Sequence, residues 1–381
     1  MKKLLRIIID IMYSALGCLF NLFPINKKKI VVSNFWGKGY NDNPKYVIEK
    51  LHEAHPEIEI VWLLKDMKTT MPKFIKKVKY KSIRSIFEYS TSIIWIDNSR
   101  KQYFPPKRKQ QKYIQLWHGG VSMKKVEAAA ADKLDASYIK MAKKDSKAID
   151  FAISNSSYRT NIFKNEFWYS GEILEYGSPR NDIYFSETEK KRIRNKICKE
   201  YKIENKKIIL YAPTFRANKN FDYMGIDFKT IIHECQKKKK DYVVMVKLHP
   251  NCGIKETIIN DNIIIFDSSV DINELMISSD MIISDYSSSI FDYLYLKRPV
   301  YLYVPDIEEY VAERGFSFDY QELPFSKSLT CQELINKIVD EDHLNYKDEL
   351  KGFIKKLSIY DDGKASARVV KLIETILKEV Q

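Results

Sequence analysis

Short apolar runs alternate with segments whose apolar positions recur every three or four residues along most of the chain. The runs are rich in Ile, Val and Leu and end at polar or turn residues, the pattern of strands buried on both faces. In the first half, residues 29–33, 58–63, 92–96, 113–116 and 151–154 read as strands. Helical periodicity marks 44–52, 82–90 and 157–165. In the second half, strands are expected at 207–211, 242–247, 263–266, 281–284 and 300–303, and helices near 228–239, 272–278 and 287–296. The charged stretch 187–207 reads as a linker helix, and 351–380 mainly as helix.

This alternation predicts an α/β chain with parallel sheets, and 381 residues leave room for two such units. The expected limits are an amphipathic segment at 1–28, one α/β domain at 29–186, a second at 187–345, and a helical tail at 346–381. Two units of similar size predict a cleft between them, with ligands at the carboxyl ends of the strands.

The N-terminus reads basic, apolar, basic: Lys2-Lys3, an apolar stretch to Phe23, then Lys27-Lys28-Lys29. Asp10 interrupts it, which argues against an ordinary signal peptide. The uninterrupted run from Ile11 to Phe20 is too short to span a bilayer. The expectation is a helix lying on an anionic membrane surface, with lysines at both ends. A net charge of +14 suits an anionic partner, although a lysine-rich surface accounts for part of it. Aromatic-interleaved basic motifs are not prominent, so nucleic acid is not the expected partner. The five cysteines are scattered, with no C-x-x-C pair, which argues against a disulfide framework or a zinc site. No metal or cofactor is expected.

The chemistry-bearing residues follow the predicted strands. After 113–116 come Trp117-His118-Gly119-Gly120. The glycines leave backbone open to a ligand, and His118 is the natural general base. After 207–211 come Pro213, Thr214 and Arg216; 242–247 ends in Lys247, followed by His249-Pro250. A turn at Gly177-Ser178-Pro179 carries Arg180. After 281–284 comes Asp285-Tyr286-Ser287-Ser288-Ser289, where a helix starts, with Asp292 one turn inside. Serines at a helix start either cap it or donate to a phosphate. Together these cations, imidazoles and hydroxyls suit a pyrophosphate. No P-loop, dinucleotide fingerprint or nucleophile elbow is present.

Taken in order, Trp117-His118-Gly119 with Lys124-Lys125, Gly177-x-Pro179-Arg180-Asn181-Asp182, Tyr211-Ala212-Pro213-Thr214-x-Arg216, Lys247-x-His249-Pro250 and Asp285-Tyr286-Ser287-Ser288 with Phe291-Asp292-Tyr293 resemble the CDP-glycerol glycerophosphotransferases. These are the teichoic-acid primases and polymerases of Gram-positive bacteria. Ser33-Asn34-Phe35 with Asp42-Asn43-Pro44, and Asp361-Asp362-Gly363-Lys364-Ala365-Ser366, extend the match. Gly120-Val121-Ser122-Met123 departs from the family's frequent His-Gly-Thr and is closer to the primase spacing.

The resemblance implies a two-domain GT-B fold, with an acceptor domain followed by a CDP-alditol-binding domain. It implies transfer of glycerol phosphate from CDP-glycerol, or ribitol phosphate from CDP-ribitol, to an undecaprenyl-diphosphate-linked acceptor at the cytoplasmic face of the membrane. His118 is then the base. Arg180, Arg216, Lys247 and His249 surround the donor's diphosphate, with Gly119, Gly120 and Thr214 also in the site. Ser287 and Ser288 bind a phosphate, and Asp292 holds a donor hydroxyl. A nucleotide-sugar glycosyltransferase of the same fold is the alternative, and the reading allows a homo-oligomer.

Overall fold

The computed structural model describes residues 2–214, 225–248, 257–266, 270–317, 320–340 and 346–379. The chain divides into two compact units. The first comprises Met1–His118, Val126–Asp182 and Ile359–Gln381; the second comprises Gly119–Lys125 and Ile183–Ser358.

Seven parallel strands form the sheet of the first unit among the described residues: β1 (Asn26–Ser33), β2 (Glu59–Leu64), β3 (Ile75–Lys79), β4 (Ser92–Asp97), β5 (Lys112–Gln115), β6 (Phe151–Ile153) and β7 (Glu172–Leu174). Their order is β3-β2-β1-β4-β5-β6-β7, a doubly wound sheet whose winding reverses between β1 and β4. The helices of this unit are α1 (Lys2–Phe20), α2 (Asp42–Ala54), α3 (Ile83–Thr91), α4 (Ala136–Ala148) and α5 (Ser157–Asn165), with a last helix from the C-terminus described below. On one sheet face Ile30, Val32, Ile60, Trp62 and Ile94 pack with Val47, Ile48 and Leu51 of α2. On the other, Val31, Val61, Leu63 and Trp95 pack with Ile162 and Phe163 of α5. Burial on both faces is why these strands lack polar alternation.

The second unit repeats the plan. Its helices are α6 (Glu187–Tyr201), α7 (Phe228–Lys237), α8 (Ile272–Ser278), α9 (Ser289–Tyr293), α10 (Ile307–Arg314), α11 (Cys331–Asp340) and α12 (Tyr346–Leu357). The strands are β8 (Lys207–Tyr211), β9 (Tyr242–Lys247), β10 (Thr257–Asn260), β11 (Ile263–Phe266), β12 (Met281–Ser284), β13 (Val300–Tyr303) and β14 (Ser326–Ser328). They run β10-β11-β9-β8-β12-β13-β14, parallel except for β10 at one edge. Here the winding reverses between β8 and β12.

The C-terminal stretch divides differently from the expected tail at 346–381. α12 belongs to the second unit, while α13 (Ala365–Glu379) belongs to the first. Val369, Ile373 and Ile376 of α13 are buried in the core beside α2. Each is worth about 1.5–3 kcal/mol of burial, so α13 is a structural part of the N-terminal fold. The expected linker helix ends at Tyr201, where Lys202 takes a left-handed backbone with φ of 56°.

Several elements escaped the sequence pattern. β3 reads Ile-Lys-Lys-Val-Lys, an edge strand with only Ile75 and Val78 buried. β7 and β14 have three residues each, and α4 is mainly polar.

α1 is helical, as its sequence predicts, and is part of the first unit rather than a separate segment. Its Tyr13 is buried, Gly17 lies against Pro105 and Pro106, and Phe20 meets Phe87 edge-on at 5.5 Å. Ile8, Ile11, Met12 and Leu19 recur at helical spacing and are exposed. Among the described residues no helix is long and apolar enough to cross a membrane.

Candidate active site

Each sheet brings polar groups to the crevice outside its strand ends where the winding reverses, the position at which doubly wound sheets bind ligands. In the first unit, β1 is followed by Asn34-Phe35 and β4 by Asn98. The Asn98 amide joins the two loops: its Nδ2 donates to Asn34 Oδ1 at 2.7 Å and to Asp42 Oδ1 at 3.0 Å. The Phe35 N–H donates to Asn98 Oδ1 at 2.9 Å.

β5 delivers His118 to this point. Trp117, with φ of 52°, turns the chain just before it. His118 Nδ1 lies 2.6 Å from the carbonyl oxygen of Asn98. A carbonyl can only accept, so Nδ1 carries the hydrogen and Nε2 of the neutral ring holds the lone pair. Burial pushes the His118 pKa below the ordinary histidine value. The Asn98 carbonyl and the Asp42 carboxylate oppose that shift, while Arg180 and Arg159 add to it. The neutral ring therefore prevails near pH 7, as a general base requires. Phe35 approaches the imidazole edge-on at 5.1 Å, and the Trp117 ring lies 4.6 Å away.

Arg180 takes surroundings that its motif alone did not suggest. Its guanidinium is buried, with Nη1 donating to Asp42 Oδ2 and to the His118 carbonyl, both at 2.6 Å. Its backbone N–H donates to Asn43 Oδ1 at 2.9 Å. Asn43 Nδ2 in turn donates to the Trp117 carbonyl at 2.8 Å. The rest of the motif is structural. Asn181 Nδ2 donates to Asp361 Oδ2 at 3.0 Å, and Asp182 accepts the N–H groups of Ala365 and Ser366 at 2.9 and 2.7 Å. Arg159 of α5 is buried nearby, its pKa lowered to about 10 by burial against the pull of Tyr158, with Arg180 lowering it further.

In the second unit the reversal lies between β8 and β12. Asp285, just past β12, accepts the N–H of Thr214 at 2.9 and 3.0 Å and its hydroxyl at 2.8 Å. It also accepts the N–H of Tyr286 at 2.6 Å. Ser284 Oγ donates to the Ala212 carbonyl at 2.6 Å. These bonds fix both strand ends and hold the serine turn on the sheet. Ser287 Oγ accepts the Ser289 N–H at 3.3 Å and lies 2.8 Å from Ser289 Oγ. Ser288 already has helical angles, φ −66° and ψ −14°, and its side chain makes no cap bond. Ser287, Ser288 and Ser289 are all half-buried. α9 has only five residues before a tighter 3-10 turn, Leu294–Leu296. The macrodipole contribution expected of a full helix is correspondingly small.

The remaining expected residues are placed as follows. Gly119 is half-buried and Gly120 buried; both open the segment that belongs to the second unit, where Ser317 N–H donates to the Met123 carbonyl at 2.7 Å. Lys247 ends β9 and is buried. Asp292 is buried in the first turn of α9. Arg216 and His249 lie outside the described residues. Among the described residues no group of His, Cys, Asp or Glu is placed to hold a metal ion.

Sequence reasoning gave no role to Asn34, Asp42, Asn43, Asn98 or Asp361. The signal for Asn98 was available: it follows a predicted strand, as His118 does. Asn34, Asp42 and Asn43 stood in quoted motifs without an assigned chemistry.

Known proteins resemble the chain over both units. The model of the family described as CDP-Glycerol:Poly(glycerophosphate) glycerophosphotransferase matches residues 16–375. The teichoic acid poly(glycerol phosphate) polymerase of Staphylococcus epidermidis is 31% identical over 376 residues, covering 93% of this chain and 52% of that protein. The chain thus spans about half the length of that relative. The teichoic acid ribitol-phosphate primase of Bacillus spizizenii is 30% identical over 396 residues, covering 98% of each. Among solved structures, the wall teichoic acid polymerase TagF superposes with a TM-score of 0.84 at 28% identity, covering 99% of this chain and 98% of that one.

Proposed function

The chain belongs to the CDP-glycerol:poly(glycerophosphate) glycerophosphotransferase family, and we propose that it transfers glycerol phosphate from CDP-glycerol to a hydroxyl of an undecaprenyl-diphosphate-linked saccharide or growing polymer, releasing CMP. The acceptor oxygen attacks the phosphorus that carries glycerol. The bond from that phosphorus to the oxygen of the CMP phosphate breaks, and CMP leaves with the electron pair. The acceptor proton passes to Nε2 of His118. Catalysis then rests on positioning and on stabilising the charge that develops on CMP.

The observation that carries this reading is the hydrogen bond from His118 Nδ1 to the Asn98 carbonyl at 2.6 Å, which leaves Nε2 as the proton acceptor. Ser287, Ser288 and Lys247 take the donor's phosphates, with Arg216 and His249 assigned to the same task by their motifs. Gly119 and Gly120 are assigned to the site by their motif, Thr214 stands beside the serine turn, and Asp292 is assigned to a donor hydroxyl. A CDP-ribitol donor is the second reading, favoured by the likeness to a ribitol-phosphate primase along its whole length. α1 is assigned to peripheral attachment at the cytoplasmic membrane face, since its exposed Ile8, Ile11, Met12 and Leu19 form an apolar stripe.

Mass spectrometry of the product formed from CDP-glycerol or CDP-ribitol with a defined lipid-linked acceptor tests the proposal. A mass gain of one or more glycerol phosphate units, with one CMP released per unit, is expected. UDP-sugar turnover without CMP release from either CDP-alditol would overturn it.

A further inference from the structure

Asp42 is bonded to both residues that hydrogen-bond His118, Arg180 and Asn98. Its Oδ2 accepts from Arg180 Nη1 at 2.6 Å, and the same Nη1 donates to the His118 carbonyl at 2.6 Å. Its Oδ1 accepts from Asn98 Nδ2 at 3.0 Å, and the Asn98 carbonyl receives the His118 Nδ1 hydrogen. One carboxylate is thus linked to the backbone of His118 through Arg180 and to its ring through Asn98. The Asn98 side chain has little freedom to turn, because Asn34 Oδ1 takes its other amide hydrogen and the Phe35 N–H occupies its oxygen.

Asp42 itself is held in an unusual way. Its backbone has φ of 58°, in the left-handed region where Asp and Asn are tolerated better than most residues. It is the first residue of α2, so the helix N-terminus favours its charge. Its own Oδ1 accepts the Asn43 N–H at 2.7 Å. A buried carboxylate in a disfavoured backbone conformation persists only where the surroundings over-determine it, and such sites cluster near chemistry.

We propose that Asp42 is a positioning residue for the base: through Arg180 and Asn98 it fixes the orientation and tautomer of His118, and its charge stabilises the imidazolium formed when the acceptor proton arrives. The inference rests on the assignment of His118 as base in the proposed transfer. Charged groups that act on the imidazole include Asp42 from α2, Arg180 from the turn at Pro179, and Arg159 from α5. Asp42 is the anion among these and opposes two guanidinium groups, so its removal takes away charge that favours the protonated ring.

The test compares Asp42→Asn with Asn34→Ala in the full chain. The first removes the charge with the shape kept. The second breaks a neutral bond in the same network. Imidazole nitrogen NMR on the folded proteins should place the His118 hydrogen on Nδ1 in wild type. Asp42→Asn should lower the His118 titration midpoint, and Asn34→Ala should leave it in place. In CMP-release assays Asp42→Asn should cut kcat by about tenfold or more, change the donor KM little, and move the acid limb of the pH profile to lower pH. An unmoved His118 midpoint in Asp42→Asn, or equal shifts in both variants, overturns the proposal. The NMR titration needs no turnover. Failure of wild type to release CMP would therefore sink the functional reading and still leave the Asp42–His118 coupling to be decided by the spectra.

Discussion

Asp285 accepts both the backbone N–H and the hydroxyl of Thr214, joining the ends of two neighbouring strands across the reversal point of the second sheet. The contact converts two separate sequence motifs into one rigid platform under the serine turn. Asp285→Ala removes an ionised acceptor shared by three donor groups, two on Thr214 and one on Tyr286. A stability loss of about 2–3 kcal/mol is expected from charge-assisted bonds of this kind, together with a raised donor KM. Thr214→Val should lose less, because the backbone bond survives. Denaturant titration read alongside donor saturation curves checks both.

The serines of the turn should separate by mutation. Ser287→Ala loses the acceptor for the Ser289 N–H, so it should cost about 1 kcal/mol as well as donor affinity. Ser288 makes no cap bond. Ser288→Ala should leave the melting temperature unchanged while weakening CDP-glycerol binding several-fold. Calorimetric titration with CDP-glycerol, paired with thermal melts, distinguishes the two. Equal stability losses would show that the turn geometry has been misassigned.

His118→Asn should reduce kcat by about 10²- to 10⁴-fold, the usual contribution of a positioned base. In wild type the acid limb of kcat/KM should have its midpoint below the ordinary histidine value of about 6.5, because burial depresses the imidazole pKa. The sign for stability is the same. The unfolded state binds the proton first as pH falls, so this group's contribution is present above the unfolded value and is lost as pH drops through the folded one. A pH profile on the wild type and a residual-rate measurement on the variant check this.

Arg100 is buried against two carboxylates, Glu127 at 3.1 Å and Asp145 at 3.3 Å. Arg100→Met strands both anions and should destabilise the first unit by about 3–5 kcal/mol. Burial has already pushed Asp145 up to about 6, with Arg100 the largest opposing influence. A raised carboxyl pKa makes the native state bind protons first, so lowering the pH through that region should recover part of the Asp145 share of the deficit. Melting temperatures of wild type and variant from pH 8 to pH 5 should converge partially.

The exposed stripe of α1 should govern membrane attachment. Ile11→Asp combined with Leu19→Asp places charge at two exposed positions, so folding should be retained. Sedimentation with vesicles containing anionic lipid should fall several-fold against wild type. Unchanged sedimentation would remove α1 from the attachment role.

Much of this chain was legible because its strands are buried on both faces and read as uninterrupted apolar runs. The strands at 207–211, 242–247, 263–266, 281–284 and 300–303 coincide with β8, β9, β11, β12 and β13. Edge strands such as β3 and β7 were not legible, since an edge needs few apolar residues and shares little of the core signal. α13 was read as helical, but its membership of the first unit was hidden. Local periodicity shows that Val369, Ile373 and Ile376 need a partner surface, and says nothing of which one.

The same division holds at the site. Local pattern alone was enough to put His118, Lys247 and the serine turn at strand ends, because side-chain chemistry after an apolar run depends on neighbours in sequence. Strand order was decided only in three dimensions, and with it the crevice that joins Asn34, Asp42, Asn98, His118 and Arg180 from five separate segments. Their partnership rests on hydrogen bonds between groups as much as 138 positions apart, and no local periodicity encodes a contact of that range.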